Sequence, residues 1–179
     1  MSVKPTSQIG SRVIRTRARA VLKINSRETQ KTIKDLVDSM RHHNLVGMAA
    51  PQIGKGLRIF VTEIRQTTYR KNLSEEDAVR VFINPRLVEK SKRQVSGYEG
   101  CGSVASALLF GPVKRPRTVT VSAQDATGQR FQLKATGLLA RAIQHETDHL
   151  NGIVFLDRVT DTRKLLGREE YVGLPKKRN

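Results

Sequence analysis

Two stretches of the chain carry the apolar spacing of helices, and the rest alternates short apolar runs with turn residues. Ile33, Leu36, Val37 and Met40 recur at the i, i+3, i+4, i+7 positions of one helix face. Ser26 stands before them as a cap and Glu28 suits the positive end of the dipole, so a helix is expected to end near His42 to Asn44. The second stretch, Gly137 to Leu150, is the clearest amphipathic helix in the chain, with Asn151-Gly152 as its stop. Leu138, Ala142, His145 and His149 share one of its faces.

Strand-like runs fall at Leu57 to Val61, Val79 to Ile83, Leu87-Val88, Val119 to Ala123 and Phe131 to Leu133. Asn84-Pro85 reads as a turn, and Asp125-Ala126-Thr127-Gly128 as the turn of a hairpin. The glycines and proline of Gly47 to Gly54 refuse regular helix, and the polar stretch Arg65 to Asp77 reads as a surface loop. Strands before and around one helix predict an α+β fold. The expectation is one compact domain over residues 1–179, with mixed or antiparallel strands around the Gly137–Leu150 helix and a flexible basic tail over 171–179.

Composition narrows this picture. With 179 residues, 37% of them apolar, the chain has material for one main core, so any chemistry must be built around it. No stretch approaches the roughly 18 apolar residues of a membrane span, and the N-terminus lacks the apolar block of a secretory signal. No membrane partner is expected. Arg12, Arg15, Arg17 and Arg19 give the N-terminus the charge of an organelle transit peptide, whereas Val13, Ile14, Val21 and Ile24 suit an ordered edge segment. A cytoplasmic location is expected, with an organelle matrix as the alternative. The net charge of +17 favours polyanionic partners, while 4% aromatic residues and no tryptophan leave few stacking platforms for single strands. Ribosome association fits this balance, and specific DNA binding does not.

The candidate chemistry sits at the end of the second helix. His145-Glu146-Thr147-Asp148-His149 is an H-E-x-x-H segment: two imidazoles four residues apart can share one metal, with a carboxylate beside them as proton carrier. A catalytic site of this type needs a third protein ligand. Glu169, twenty residues beyond His149, has a spacing that resembles the thermolysin-type metallopeptidases. Cys101, the single cysteine, lies between Gly100 and Gly102 and is the stronger candidate, because a thiolate binds divalent metal tightly and a glutamate at a given spacing is a common accident. One cysteine also leaves no internal disulfide. His42 and His43 read as solvated helix-end residues.

Three segments in this order resemble the signature motifs of the peptide deformylases. They are Gly47-Met48-Ala49-Ala50-Pro51-Gln52, Glu99-Gly100-Cys101-Gly102-Ser103 and Gln144-His145-Glu146-Thr147-Asp148-His149-Leu150. The likeness extends to Gly10 to Arg15, similar to the family's first strand, to Ile83-Asn84-Pro85, and to Gly152 to Arg158, and so spans about residues 9 to 160. The resemblance implies a hydrolase that releases formate from the N-formylmethionine of nascent polypeptides, with one divalent metal, Fe(II) or Zn(II), on Cys101, His145 and His149. It implies Glu146 as proton carrier, and the Gln52 side chain with the Gly102 N–H as donors to the developing oxyanion. The peptide would pair as an added strand near Val46, Gly47 and Gly100, with Leu138 and Ala142 as candidates for the methionine pocket.

The chain departs from the family pattern at four places. Leu45 stands where the first motif usually begins with glycine, and Gly102 where the second usually has leucine, which is expected to loosen the backbone that aims its N–H. Ala105 replaces a proline and Phe110 an arginine, with a longer loop between. These changes bear on substrate preference more than on metal chemistry. Two alternatives stay open: a metallopeptidase using Glu169, and a catalytically weak, ribosome-associated binding protein of the same fold.

Overall fold

Alternation along one central strand decides where the helices go. In β2 (Ile59–Ile64), Phe60 packs against Ala140, Ile143 and Leu150 of α3 (Gly137–Leu150), while Ile59 and Val61 pack against Ile33, Leu36 and Met40 of α2 (Arg27–His42). Successive side chains of a strand point to opposite faces, so the two helices cover opposite sides of one sheet. The computed structural model that shows this describes residues 2–67 and 75–174. That sheet has five antiparallel strands in the order β1 (Gly47–Ala49), β2, β3 (Asp77–Lys90), β6 (Val119–Gln124) and β7 (Arg130–Ala135). A second sheet is ordered β4 (Gln94–Gly100), β5 (Leu109–Pro116) and β8 (Leu166–Gly167). Ile14, Cys101, Val104, Val113, Val154 and Phe155 form a third apolar cluster beside it.

The expected helices are present. Ser26 accepts the Thr29 N–H at 3.2 Å, and α2 buries Ile33, Leu36 and Met40 before Asn44 turns the chain at φ +55°. Helix α3 has the expected bounds, and Gly152 ends it at φ +76°. A Cβ at Gly152 would also lie 2.6 Å from the Arg15 carbonyl oxygen, so glycine is needed there for two reasons. The hairpin closes at Asp125, whose carbonyl accepts the Gly128 N–H at 3.1 Å between β6 and β7.

Four local expectations need correction. Asn84-Pro85 does not reverse the chain: β3 runs through it as one strand, pairing with β2 up to Ile83 and with β6 beyond. Asn84, at φ +52°, gives an irregularity at which its carboxamide exchanges two hydrogen bonds with the Val21 backbone (2.8 and 2.9 Å). The segment likened to a first strand holds a helical turn, α1 (Arg12–Arg15), because Ile14 is drawn fully into the third cluster. With Ala18 and Val21 also buried, the basic N-terminus is an ordered part of the fold. The tail does not loosen at residue 171, since α4 (Arg168–Gly173) continues to Gly173 and Tyr171 stacks on Phe110. Asp77 belongs to β3, where it pairs with Arg80; residues 68–74 of the expected loop, and Lys176 to Arg178, lie outside the described residues.

Candidate metal centre

Three distant segments meet at the C-terminal half of α3. Cys101 Sγ lies 3.1 Å from His149 Nε2, and donor atoms of Cys101, His145 and His149 all fall within 4.8 Å of one another. Helical spacing puts both imidazoles on one face, and the β4–β5 sheet delivers the thiol just past the end of β4. Burial works against a thiolate, yet His149 and His145 hold the Cys101 pKa well below its ordinary value. His145 presents Nδ1 to Glu99 Oε2 at 2.9 Å, which leaves Nε2 for the cluster. One thiolate, a buried imidazole and a partly buried one are a donor set that fits a borderline-soft divalent cation such as zinc or ferrous iron. Glu169 is exposed on α4 and takes no part in this cluster.

Glu99 is itself held. Arg115 donates to both its oxygens (2.9 and 2.8 Å), Arg141 adds a third bond at 2.8 Å, and Arg115 also reaches Asp148, which Arg158 grips from the other side. Burial raises the Glu99 pKa, but the bonds from Arg115 and His145 outweigh it and keep the carboxyl ionised well below the usual range. The arrangement fixes which nitrogen of His145 carries the proton.

Glu146 faces the opposite wall. Its Oε2 is buried with no protein hydrogen-bond partner, and burial lifts its pKa to about 7 against the pull of His145 and His149. A carboxylate so placed is suited to accept and return a proton near neutrality. The wall is Gly47: alternation in β1 sends Met48 toward α2 and leaves Gly47 toward α3, where a Cβ would fall 2.6 Å from Glu146 Oε1. Gln52 accepts the Ala49 N–H at 2.7 Å through Oε1, which aims its amide nitrogen at Cys101 Sγ, 3.6 Å away.

Gly102 is buried and is not loose, contrary to the expectation from its lack of a side chain. Thr6 and Gln8 donate to its carbonyl (3.1 and 2.8 Å), and the same N-terminal strap binds Gln52 and Ser103 through the Ser7 and Ile9 N–H groups. A Cβ at Gly102 would lie 3.2 Å from Leu45 Cδ1, so Leu45 occupies the space that a side chain at 102 would need. Ala105 has φ +46°, a conformation closed to proline, whose ring holds φ near −65°. Phe110 lies against Gly100, where a Cβ would be 2.5 Å from its ring.

A groove joins these residues, lined by Leu45, Val46, Gly47, Gly100, Leu138 and Ala142 together with the metal donors His145 and Cys101. Val46 lines the groove beside Gly47. Its carbonyl accepts the Glu63 N–H at 2.9 Å from β2. Bonded pairs alternate in an antiparallel ladder, so Gly47 is the residue that turns its backbone groups to the open edge. Sequence reasoning missed Arg141, Tyr98 and Tyr171 in the lining and Glu99 as the partner of His145. Arg141 had a signal, being four residues before His145 on the same helix face; Tyr171 had none, because it reaches the groove only through the β5–β8 pairing.

Comparison with known proteins agrees with this geometry. A family model described as polypeptide deformylase matches residues 3–165. The chain belongs to the polypeptide deformylase family. Relatives within it include the peptide deformylase of Dictyoglomus thermophilum, 36% identical over 89% of this chain and 94% of its own. That of Treponema pallidum is 42% identical over 75% of each chain. Among solved deformylases, the class I type b enzyme of Acinetobacter baumannii with Met-Ala-Ser bound superposes with a TM-score of 0.83 at 31% identity, covering 89% of this chain and all of that one. The Synechococcus elongatus deformylase in complex with actinonin gives 0.77 at 34% identity, over 90% of this chain and 82% of its own. The β8–α4 segment that carries Tyr171 lies beyond the residues matched by the family model.

Proposed function

We propose that this chain hydrolyses the N-formyl group of formylmethionyl peptides, releasing formate and a free amine. The observation that carries it is the meeting, beside one groove, of the Cys101/His145/His149 donors with Glu146 against Gly47 and the Gln52 amide. Cys101, His145 and His149 would hold the ion. When bound, a divalent metal supplies a Lewis acid and a water that ionises near neutral pH. Glu146 takes the proton of the attacking water on its carboxylate and returns it to the leaving nitrogen. Gln52 Nε2 and the Gly102 N–H donate to the carbonyl oxygen as it gains charge, and the contact of Gln52 with Ala49 removes the cost of orienting it at that moment. Gly47, at the free edge of β1, and Gly100, at the end of edge strand β4, pair with the peptide main chain, while Leu138 and Ala142 receive its first side chain.

The test is formate release from formyl-Met-Ala-Ser beside the same peptide carrying acetyl, with anaerobically purified protein of known metal content. Equal rates on the two caps, or full retention of activity in Glu146→Ala, would remove the reading. Zinc and ferrous iron both suit the donor set; the proposal is iron as the more active form, checked by the same assay after each metal is loaded. The excess of 33 lysines and arginines over 16 acidic residues supports association with the ribosome in the cytoplasm. Co-sedimentation with ribosomes should weaken steeply between about 50 and 200 mM salt, and salt-insensitive binding would count against a phosphate-driven contact. Among the described residues no helix is long and apolar enough to cross a membrane.

A further inference from the structure

Phe60, Phe82, Phe131 and Phe155 belong to the apolar core, whereas Tyr98, Phe110 and Tyr171 gather along the groove. The rings of Phe110 and Tyr171 stack with centroids 4.1 Å apart and planes 8° from parallel, and Tyr98 lies 5.8 Å from Tyr171. All three are half-buried. Alternation decides which side of the groove they take. In β4, Glu99 turns inward to Arg115, Arg141 and His145, and Gly111 and Val113, the β5 partners of Glu99 and Gly97, are buried. Tyr98 and Gly100 therefore face the other way, together with their own β5 partners Pro112 and Phe110. The Phe110 ring agrees with this, lying where a Cβ at Gly100 would point. Because β4 is an edge strand, its free edge divides the groove: Leu138, Ala142 and His145 line the α3 side, and the three rings line the outer side.

The outer side is built by the C-terminal segment. β8 pairs with Leu109 and Phe110 of β5, and Arg168, at the start of α4, donates Nε and Nη2 to the Ala107 carbonyl (3.2 and 2.8 Å). These contacts seat Tyr171 on Phe110 before any ligand arrives, so little ordering is left for binding to do. The segment lies beyond the residues matched by the family model, and Phe110 stands where the family pattern usually has arginine. A peptide added as a strand along β4 starts with its cap at Cys101 and runs toward Tyr98. Its side chains alternate between the two sides of that edge. With the first side chain on the α3 side beside Leu138 and Ala142, the second is delivered to the outer side and onto the rings.

We propose that Tyr171, with Phe110 and Tyr98, forms a subsite that selects an aromatic side chain at the second residue of the formylmethionyl peptide. The proposal rests on the deformylase reading and adds a sequence preference to the same site. A ring laid on this platform buries apolar area and gains roughly two- to tenfold in binding beyond that area from the ring-to-ring contact. Alanine offers neither gain, and leucine offers only the first.

The experiment measures kcat and KM for formyl-Met-Phe-Ser, formyl-Met-Leu-Ser and formyl-Met-Ala-Ser with the metal-loaded wild-type protein, Tyr171→Ala and Tyr171→Phe. The expected wild-type kcat/KM is about tenfold higher for phenylalanine than for alanine and about threefold higher than for leucine. The second side chain lies away from the reacting carbonyl, so the preference should sit in KM with kcat little changed. In Tyr171→Ala the phenylalanine-to-alanine ratio should fall about fivefold, and Tyr171→Phe, which keeps the ring, should keep it. Each ratio is taken within one protein, so a general loss of folded enzyme cancels, and Tyr171→Leu serves if the alanine variant does not fold. A wild-type ratio within twofold, leucine equal to phenylalanine, or a ratio that Tyr171→Ala leaves unchanged would overturn the proposal. If no formyl peptide is turned over, the deformylase reading itself fails, and calorimetric binding of Met-Phe-Ser against Met-Ala-Ser to the zinc-loaded protein decides the subsite separately. Tighter binding of Met-Phe-Ser would then uphold it, and equal or absent binding would overturn it.

Discussion

Replacing Gly47 by alanine adds one methyl group at the point where β1 meets α3, and the structure says where it would go. The new Cβ would stand 2.6 Å from Glu146 Oε1, 2.9 Å from Cγ and 3.0 Å from Cδ. Ordinary contact begins at 3.4 Å, so the carboxylate would have to retreat by about 0.8 Å or β1 would have to move off the helix. Gly47 does not have a positive φ, so alanine brings no backbone strain and the effect isolates the displacement. Misplacing a reacting group by about 1 Å costs roughly 100-fold in rate, and overpacking a filled site costs about 1–3 kcal/mol of stability. The expected outcome is a kcat/KM for formate release lowered by roughly two orders of magnitude. The Tm should fall by about 2–4 °C for each kcal/mol lost. Gly56→Ala is the control, since nothing lies within 4 Å of its added Cβ. Activity of Gly47→Ala within threefold of the wild type would mean that the position of Glu146 against this wall is not part of the chemistry.

Three further outcomes follow from the same contacts. Glu99→Ala should weaken metal binding by about 10–100-fold in chelator competition, because His145 loses the acceptor that orients it; unchanged affinity would show that the helix alone holds the ring. Cys101→Ala should empty the site by metal analysis while Glu169→Ala leaves it filled, and the reverse pattern would restore the metallopeptidase alternative. Glu63 is held below the ordinary carboxylate value of 4.5 by its hydrogen bond from Arg41, against a smaller opposing effect of burial. A lowered folded pKa means stabilisation that is complete above 4.5 and lost as pH falls through the folded value, so Tm measured against pH should drop less on the acid side in Glu63→Gln. An identical acid limb in the two proteins would remove Glu63 from that account.

The candidate metal donors were legible in the chain because helical spacing is a local property. His145 and His149 share a face in any helix, and a single cysteine between two glycines is rare enough to stand out. The caps at Ser26 and Gly152 and the hairpin at Asp125 were legible for the same reason, since each is settled by residues within one turn of itself. Asn84-Pro85 misled because turn residues also serve irregular strands, and what kept the chain extended was a partner on each side, β2 before and β6 after. Arg12 to Arg15 misled because the burial of Ile14 depends on a cluster assembled from residues 101 to 155.

By itself, then, the sequence determined the helix that carries the histidines, the donor types of the site and the reaction class they imply. Only the tertiary structure decided that Gly47 is the wall behind Glu146, that Leu45 fills the space beside Gly102, and that Glu99 chooses the nitrogen His145 offers. It also placed Arg141 in the lining of the groove and brought Tyr171, stacked on Phe110, to the same lining. The reason is range. Spacing within one helix fixes direction over a few residues, whereas contacts between β1, β4, β5 and α3 arise only when two sheets close on the same helix and make one surface of residues far apart in the chain.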